Sequence, residues 1–230
     1  MSAVGWRRLG FIVAALLLQT ALLRAALPGP DETLVRSSLA GQLLVAAPEM
    51  GDPRFERAVV LIVEHGPGGA MGVVVNKPIG EHPLASLLKA LGQKEGDVAG
   101  GVRVFSGGPV QPELGFVVHS SDYQRRETVA ITDRLSMTAS VGILHDIAAN
   151  RGPAKALVAF GYAGWGPGQL EHEIELRAWG LVEADPALVF DEDRDKVWDL
   201  AWRRRAQHSR LEIPKARVGE SESRQLLRQQ

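Results

Sequence analysis

The stretch "AVVLIVEHGPGGAMGVVVN", residues 58–76, decides the fold class. Two β-branched runs, Ala58–Glu64 and Met71–Asn76, flank "HGPGGA", whose glycines and proline suit a hairpin. A strand with one wet face alternates apolar and polar residues. These runs are almost unbroken in their apolarity, so they predict strands covered on both faces. Upstream, Leu39–Ala47 reads as a further strand ending at Pro48. Downstream, "PLASLLKAL" (Pro83–Leu91) sets Leu84, Leu87, Leu88 and Leu91 at i, i+3, i+4 and i+7, one face of a short helix closed by Gly92.

The same reading extends to the C-terminus. Val102–Ser106 and Phe116–His119 are expected as strands on either side of "GGPVQPELG", with a short one at Val129–Thr132. Ser136–Asn150 carries Met137, Val141, Leu144 and Ile147/Ala148 at helical spacing and predicts the best-patterned helix. Ala156–Gly161 reads as a buried strand, "GPGQLEHEIELRAW" as the start of a helix and Leu181–Glu183 as a last strand. Asp193–Arg205 predicts a helix with acids at its start and Arg203, Arg204 and Arg205 at its end, as the macrodipole prefers. After Ala206 the chain turns polar, so a frayed tail is expected. Strands and helices mix without strict βαβ alternation and without internal repeats. The fold class is α+β or mixed α/β: a domain over 38–206 between an extension (1–37) and a polar tail (207–230).

With 230 residues, 45% hydrophobic and 23% charged, the chain is long enough for one real core. A formal net charge of -1 gives no global footprint for nucleic acid or anionic lipid. The absence of cysteine removes disulfides, thiolate catalysis and cysteine metal sites together. At the N-terminus, Arg7 and Arg8 precede Leu9–Leu23, an apolar run too short for the roughly 30 Å of a bilayer core yet suited to a signal-peptide h-region. Three readings stand: an uncleaved anchor, a signal peptide with a poor cleavage end, or a start codon assigned too far upstream. Membrane contact is expected only through that run.

The site-like stretch is "GYAGWGPGQLEHEI", residues 161–174. As a phosphate loop it lacks the Lys-Ser/Thr of the Walker pattern and the third glycine of the dinucleotide fingerprint; Pro167 removes a donor, and Glu171 and Glu173 repel anions. As a zinc motif it fails because Leu176 stands four residues after His172. "DEDRD" (191–195) opens like a calcium loop, but Lys196 and Trp202 stand where glycine and glutamate are required. No metal and no cofactor are therefore expected. Ser106 lacks a nucleophile elbow. "HSSD" (His119 to Asp122) sets triad residue types side by side without implying triad geometry, and His119 reads as a packing or capping residue before a base. His145 and Asp146 would point about 100° apart on a helix. Arg203–Arg205 reads as a solvated helix end.

Four stretches together, "SLAGQLLVAAPEMGDPRFERAVV", "GAMGVVVNKP", "VFSGGPVQPELGFVVH" and "GYAGWGPGQLEHEI", resemble the AlgH/YqgE family of bacterial proteins over about Ser38 to Asp185. The resemblance implies a single α/β domain whose bent, bifurcated sheet wraps into a pseudo-barrel. It implies no established activity and no catalytic residues; the family's name is attached to regulation of transcription and, in some bacteria, to alginate production. The family usually starts near Ser38, which favours the misplaced-start reading, with Leu34 or Val35 as the product of a start codon other than ATG. Where the family tends to show Asn-x-Trp-Leu, this chain has Arg177-Ala178-Trp179-Gly180, so a turn contact is expected to have changed.

Under that resemblance, Gly161, Gly164, Gly166 and Gly168 are read as tight curvature between strand and helix, Gly164 at positive φ, with Tyr162 and Trp165 packing the curve or gripping a partner. The favoured function is a non-enzymatic regulatory or protein-interaction domain in the cytoplasm, its protein partner unidentified. The alternative is a hydrolase or small-ligand-binding enzyme with a pocket between Gly107-Gly108-Pro109 and the Gly-Trp stretch, His119 or Asp122 serving as base. Direct DNA binding is disfavoured, since no basic stripe or helix-turn-helix is present.

Overall fold

The computed structural model describes residues 38–93 and 98–211, with side chains as far as residue 205. The readings of Leu9–Leu23 and of the tail beyond residue 211 lie outside these residues. Among the described residues no helix is long and apolar enough to cross a membrane.

The expected hairpin is present. β1 (Gln42–Ala46), β2 (Val59–Gly66) and β3 (Gly69–Val74) form an antiparallel meander. Its continuous apolarity has the anticipated cause, because alternate residues enter different cores. Leu43, Val45, Val59, Leu61, Val63 and Val73 point into one cluster, whereas Leu44, Ala46, Val60, Ile62 and Val74 point into another on the opposite face. β4 (Pro78–Pro83) leads into α1 (Leu84–Ala90); β5 (Gly101–Ser106) and β6 (Val110–Ser120) follow. β7 (Thr128–Ala130), β8 (Leu135–Thr138) and α2 (Gly142–Ala148) precede the central β9 (Ala156–Trp165). The chain ends through α3 (Gln169–Glu175), β10 (Trp179–Glu183), α4 (Pro186–Val189) and α5 (Arg194–Leu211).

The strands make one bent sheet in the order β10-β1-β2-β3-β9-β6-β8-β7, with β4-β5 branching from β9. All pairings are antiparallel except β5 with β9. β9 makes the bifurcation: Ala156–Phe160 pairs with β5 and β6, while Ala163–Trp165 pairs with β3. The sheet curls into a half-barrel, the pseudo-barrel that the resemblance implied. The cluster that joins Leu43 and Leu61 to Phe105, Val118 and Leu157 also takes in α4 and α5 through Leu188, Val197 and Trp198. α3 covers the second cluster with Leu170, and α1 and α2 cover a third, over Val117 and Val158.

Several expectations need correction. The helix expected over Ser136–Asn150 begins only at Gly142, because Leu135–Thr138 is a fully buried strand between β6 and β7. Leu135 and Met137 enter the barrel cluster while Ser136 and Thr138 alternate with them, so a period of two prevails over the helical spacing of Met137. "GYAGW" is not a turn: β9 runs through Trp165, and only Gly166–Gly168 turns. The left-handed glycines are Gly161 (φ 75°) and Gly168 (φ 73°), not Gly164. β4 and α4 were not anticipated. α5 continues to Leu211, past the expected start of the tail. Nor are the helix-end arginines simply solvated: Arg204 pairs with Asp185 at 2.7 Å and Arg205 lies over Trp202, leaving Arg203 exposed.

Candidate functional site

The polar residues at the end of β6 form a closed network. His119 is completely buried, and its Nδ1 lies 2.8 Å from the Ser120 carbonyl oxygen, so Nδ1 carries the proton. Nε2 then accepts from the Thr138 hydroxyl at 2.9 Å. The Thr138 oxygen in turn accepts from the Thr128 hydroxyl at 2.7 Å, and Thr128 receives the Arg125 amide at 2.9 Å. With a neutral imidazole every donor in this chain points the same way. Burial holds the His119 pKa below its ordinary value, outweighing the Ser120 carbonyl and the Asp122 charge. Asp122 is equally occupied, with Oδ1 accepting from Ser120 Oγ at 2.5 Å and Oδ2 from the Ala154 amide at 2.9 Å. The Ser120 hydroxyl is the first cause of its lowered pKa. The arrangement therefore latches β6 to the loop before β9; the one lone pair of the neutral His119 ring is taken up by Thr138, while Asp122, though exposed, is held by two donors.

Beside it, Asp146 Oδ2 accepts from the Tyr123 hydroxyl at 2.6 Å and from Arg125 at 2.8 Å, while Arg151 reaches Oδ1 at 3.2 Å. The Tyr123 hydroxyl, then Arg125, lower the Asp146 pKa to about 2. This ties α2 to the β6–β7 connection. His145, one residue away, is exposed and outside the network.

The glycine-rich stretches meet as backbone, not as a pocket. A Cβ on Gly107 would stand 2.3 Å from the Gly161 carbonyl oxygen, one on Gly108 2.2 Å from the Tyr162 carbonyl carbon, and one on Gly161 2.3 Å from the Gly108 oxygen. The three glycines let the β5–β6 connection cross β9 where the sheet bends. Tyr162 packs on the barrel cluster, its ring edge-on to Phe116 at 6.2 Å. Gly164 has only the Tyr162 ring at 3.4 Å beside it, and Gly166 donates its amide to Gln169 Oε1 at 3.0 Å.

Trp165 is 7% exposed and Trp179 4% exposed, with ring centroids 6.0 Å apart. Both indole N–H groups donate to the same oxygen, Glu173 Oε2, at 2.9 and 2.8 Å; Gln169 Nε2 holds the other oxygen at 2.9 Å. The acid that counts against phosphate is thus the anchor of the whole stretch. Glu171 stands 3.3 Å from His65 Nε2 on the β2–β3 hairpin, joining α3 to the sheet.

Two open spaces touch the candidate set, the first of about 370 Å³ at the β2–β3 turn, where Trp165 meets residues 64–71. The second, a cleft of about 250 Å³, is bounded by Gly108 and Pro109 on one side and by Arg54, Phe55, Lys77 and Ser106 on the others. His119, Asp122, Tyr162 and Trp165 do not line it. Sequence reasoning gave no role to Arg54 and Lys77, although both lie in stretches that carry the resemblance; only the pairing of β4 with β5 brings Lys77 beside Ser106, whose amide donates to the Lys77 carbonyl oxygen at 2.9 Å.

The comparisons with known proteins agree with one another. A UPF0301 protein of Cereibacter sphaeroides is 46% identical over 161 residues, covering 70% of this chain and 88% of the relative. One from Jannaschia sp. is 47% identical over 174 residues, covering 75% and 89%. The solution structure of the AlgH protein from Pseudomonas aeruginosa superposes with a TM-score of 0.62 at 35% identity, covering 90% of this chain and 98% of that one. A Corynebacterium diphtheriae protein shares the fold at a TM-score of 0.57 and 24% identity, covering 71% and 85%. The AlgH-like family model matches residues 43–209, from within β1 to near the end of α5. The sheet bent at β9, with the glycine crossing and the tryptophan anchor that brace it, thus lies inside the matched region but for Gln42, and the chain belongs to the AlgH-like family of bacterial proteins.

Proposed function

We propose that this chain is a non-enzymatic interaction domain that acts in regulation, docking a protein partner along the free edge of β4. The observation that carries this reading is the state of that edge. β4 is bonded to β5 on one side, and among the described residues no strand pairs with its other side. The register shifts between Pro78 and Gly80, so Ile79 has no residue opposite it and stands 62% exposed, a large apolar side chain beside unpaired backbone. An extended peptide adding to such an edge gains main-chain hydrogen bonds and a hydrophobic contact. Two facts support the non-catalytic side of the reading: the His119 lone pair is taken up by Thr138, and His119 and Asp122 line neither of the two open spaces described. Transcription is the process to which the family's name attaches, and the cytoplasm is where we place the domain; recovery of an exported form beginning near residues 26–30 would overturn that placement.

The test is affinity capture from the native host with the wild-type chain and with Ile79→Lys. The substitution lies on the surface, so melting should be unchanged while the retained partner is lost. Equal capture by both proteins refutes the edge as the docking site.

A further inference from the structure

Three connections converge at the cleft beside Pro109: the 3-10 turn Pro53–Phe55, the link from β3 to Pro78, and Gly107–Pro109. Its polar groups are unequal. The Arg54 guanidinium is already neutralised by Asp52, with Nε and a terminal nitrogen both on the carboxylate. The Lys77 ammonium donates only to the Arg54 carbonyl oxygen at 3.2 Å and has no carboxylate within ion-pair distance among the described residues. The Ser106 hydroxyl likewise has no hydrogen-bond partner among them. Lys77, whose charge has no carboxylate partner among the described residues, and Ser106, whose hydroxyl has no partner among them, thus both line the same small space.

The remaining walls are apolar and firmly held. The Phe55 ring packs edge-on against Trp179 at 5.5 Å, and Val74 and Pro109 complete the lining. Backbone bonds fix the floor, with Val74 N donating to the Gly107 oxygen at 2.8 Å and Gly107 N to the Phe160 oxygen at 2.7 Å. A preformed cleft of this kind binds without first having to order its walls. Its volume of about 250 Å³ falls below the roughly 300–1,000 Å³ of drug-sized sites, so its occupant is small. The single free cation matches a monoanion. A phosphate dianion would leave one charge uncompensated and would lack a free guanidinium fork.

We propose that the cleft binds a small organic carboxylate. Lys77 pairs with the carboxylate, the Ser106 hydroxyl donates to one of its oxygens, and Phe55 and Pro109 cover a short apolar body. The site is independent of the β4 edge, and neither reading rests on the other.

The experiment titrates the ¹⁵N-labelled full chain with isobutyrate, with its neutral isostere isobutyramide, and with inorganic phosphate. Isobutyrate should shift the amides of Lys77, Ser106 and Gly108 saturably, and isobutyramide and phosphate should bind about tenfold or more weakly. Lys77→Gln should weaken isobutyrate about tenfold and Ser106→Ala about threefold, with melting unchanged. Absence of saturable shifts at these amides overturns the proposal, as does an equal response to isobutyramide, tighter binding of phosphate, or undiminished binding in Lys77→Gln. If Lys77→Gln does not fold, the Ser106→Ala titration decides in its place, and undiminished binding there has the same force.

Discussion

Replacing Glu173 with alanine removes one carboxylate and strands two indoles. Trp165 and Trp179 are nearly buried and share Glu173 Oε2 as the acceptor of both N–H groups. A buried donor left without an acceptor costs about 1–3 kcal/mol, so two cost about 2–6 kcal/mol. Glu173 itself is half-buried, so water can enter the vacated space and serve part of that need, bringing the expected loss to about 2–4 kcal/mol. For a domain of this size that corresponds to a fall in Tm of roughly 5–15 °C. Glu173→Gln keeps an oxygen to accept from both indoles but forfeits the charge and the acceptor for Gln169 Nε2, so it should lose about 1–2 kcal/mol. Equilibrium urea unfolding followed by tryptophan fluorescence and circular dichroism gives both values. Combining Glu173→Ala with Trp165→Phe should be less than additive, because the phenylalanine no longer has a donor to strand. If Glu173→Ala unfolds within about 0.5 kcal/mol of the wild type, or if glutamine is as damaging as alanine, the shared acceptor does not brace this stretch.

Gly161→Ala should lose at least about 3 kcal/mol or fail to fold, since a Cβ there meets the Gly108 oxygen at φ 75°, whereas Gly164→Ala should stay within about 1 kcal/mol; thermal melts separate the two. Arg177 sits at φ 61°, and Arg177→Asn should stabilise by about 0.5–1 kcal/mol in urea unfolding, because asparagine tolerates the left-handed region better. Because burial lowers the folded-state pKa of His119, the unfolded chain binds the proton first as acid is added. The stabilisation from this residue is therefore complete above about pH 6.5 and declines as the pH falls below it, and His119→Gln should flatten urea midpoints measured between about pH 7 and 5.

Much of this fold was legible because particular residues obey one period only. The hairpin of Val59–Val74 could not be mistaken, and its two-sided burial followed from the absence of polar alternation. Leu84 and Leu88 likewise marked the buried face of α1. Leu135–Thr138 was misread because Met137 fits a helical row and an alternating row equally, and only pairing with β6 and β7 selects the second. Arg177, where the resemblance implied an asparagine, takes the left-handed conformation at φ 61°, which arginine occupies at greater cost than asparagine would. Glu173 was beyond reach. Its role depends on Trp165 and Trp179 arriving from two strands on either side of α3, and short motifs carry no trace of that meeting.

The pairing of β1 with β10, Gln42 opposite Glu183, ties the first strand of the domain to its last, and β3 must wait for Trp165 before its outer edge is covered. On the ribosome these partners do not arrive together. At roughly 5–20 residues per second, β3 leaves the tunnel about 5–20 s ahead of β9. In that interval the most apolar hairpin of the chain has both faces and one edge unprotected, with two short β-branched segments available to any neighbouring strand. Translation speed and nascent-chain chaperones therefore bear on the yield of this protein alongside its final stability.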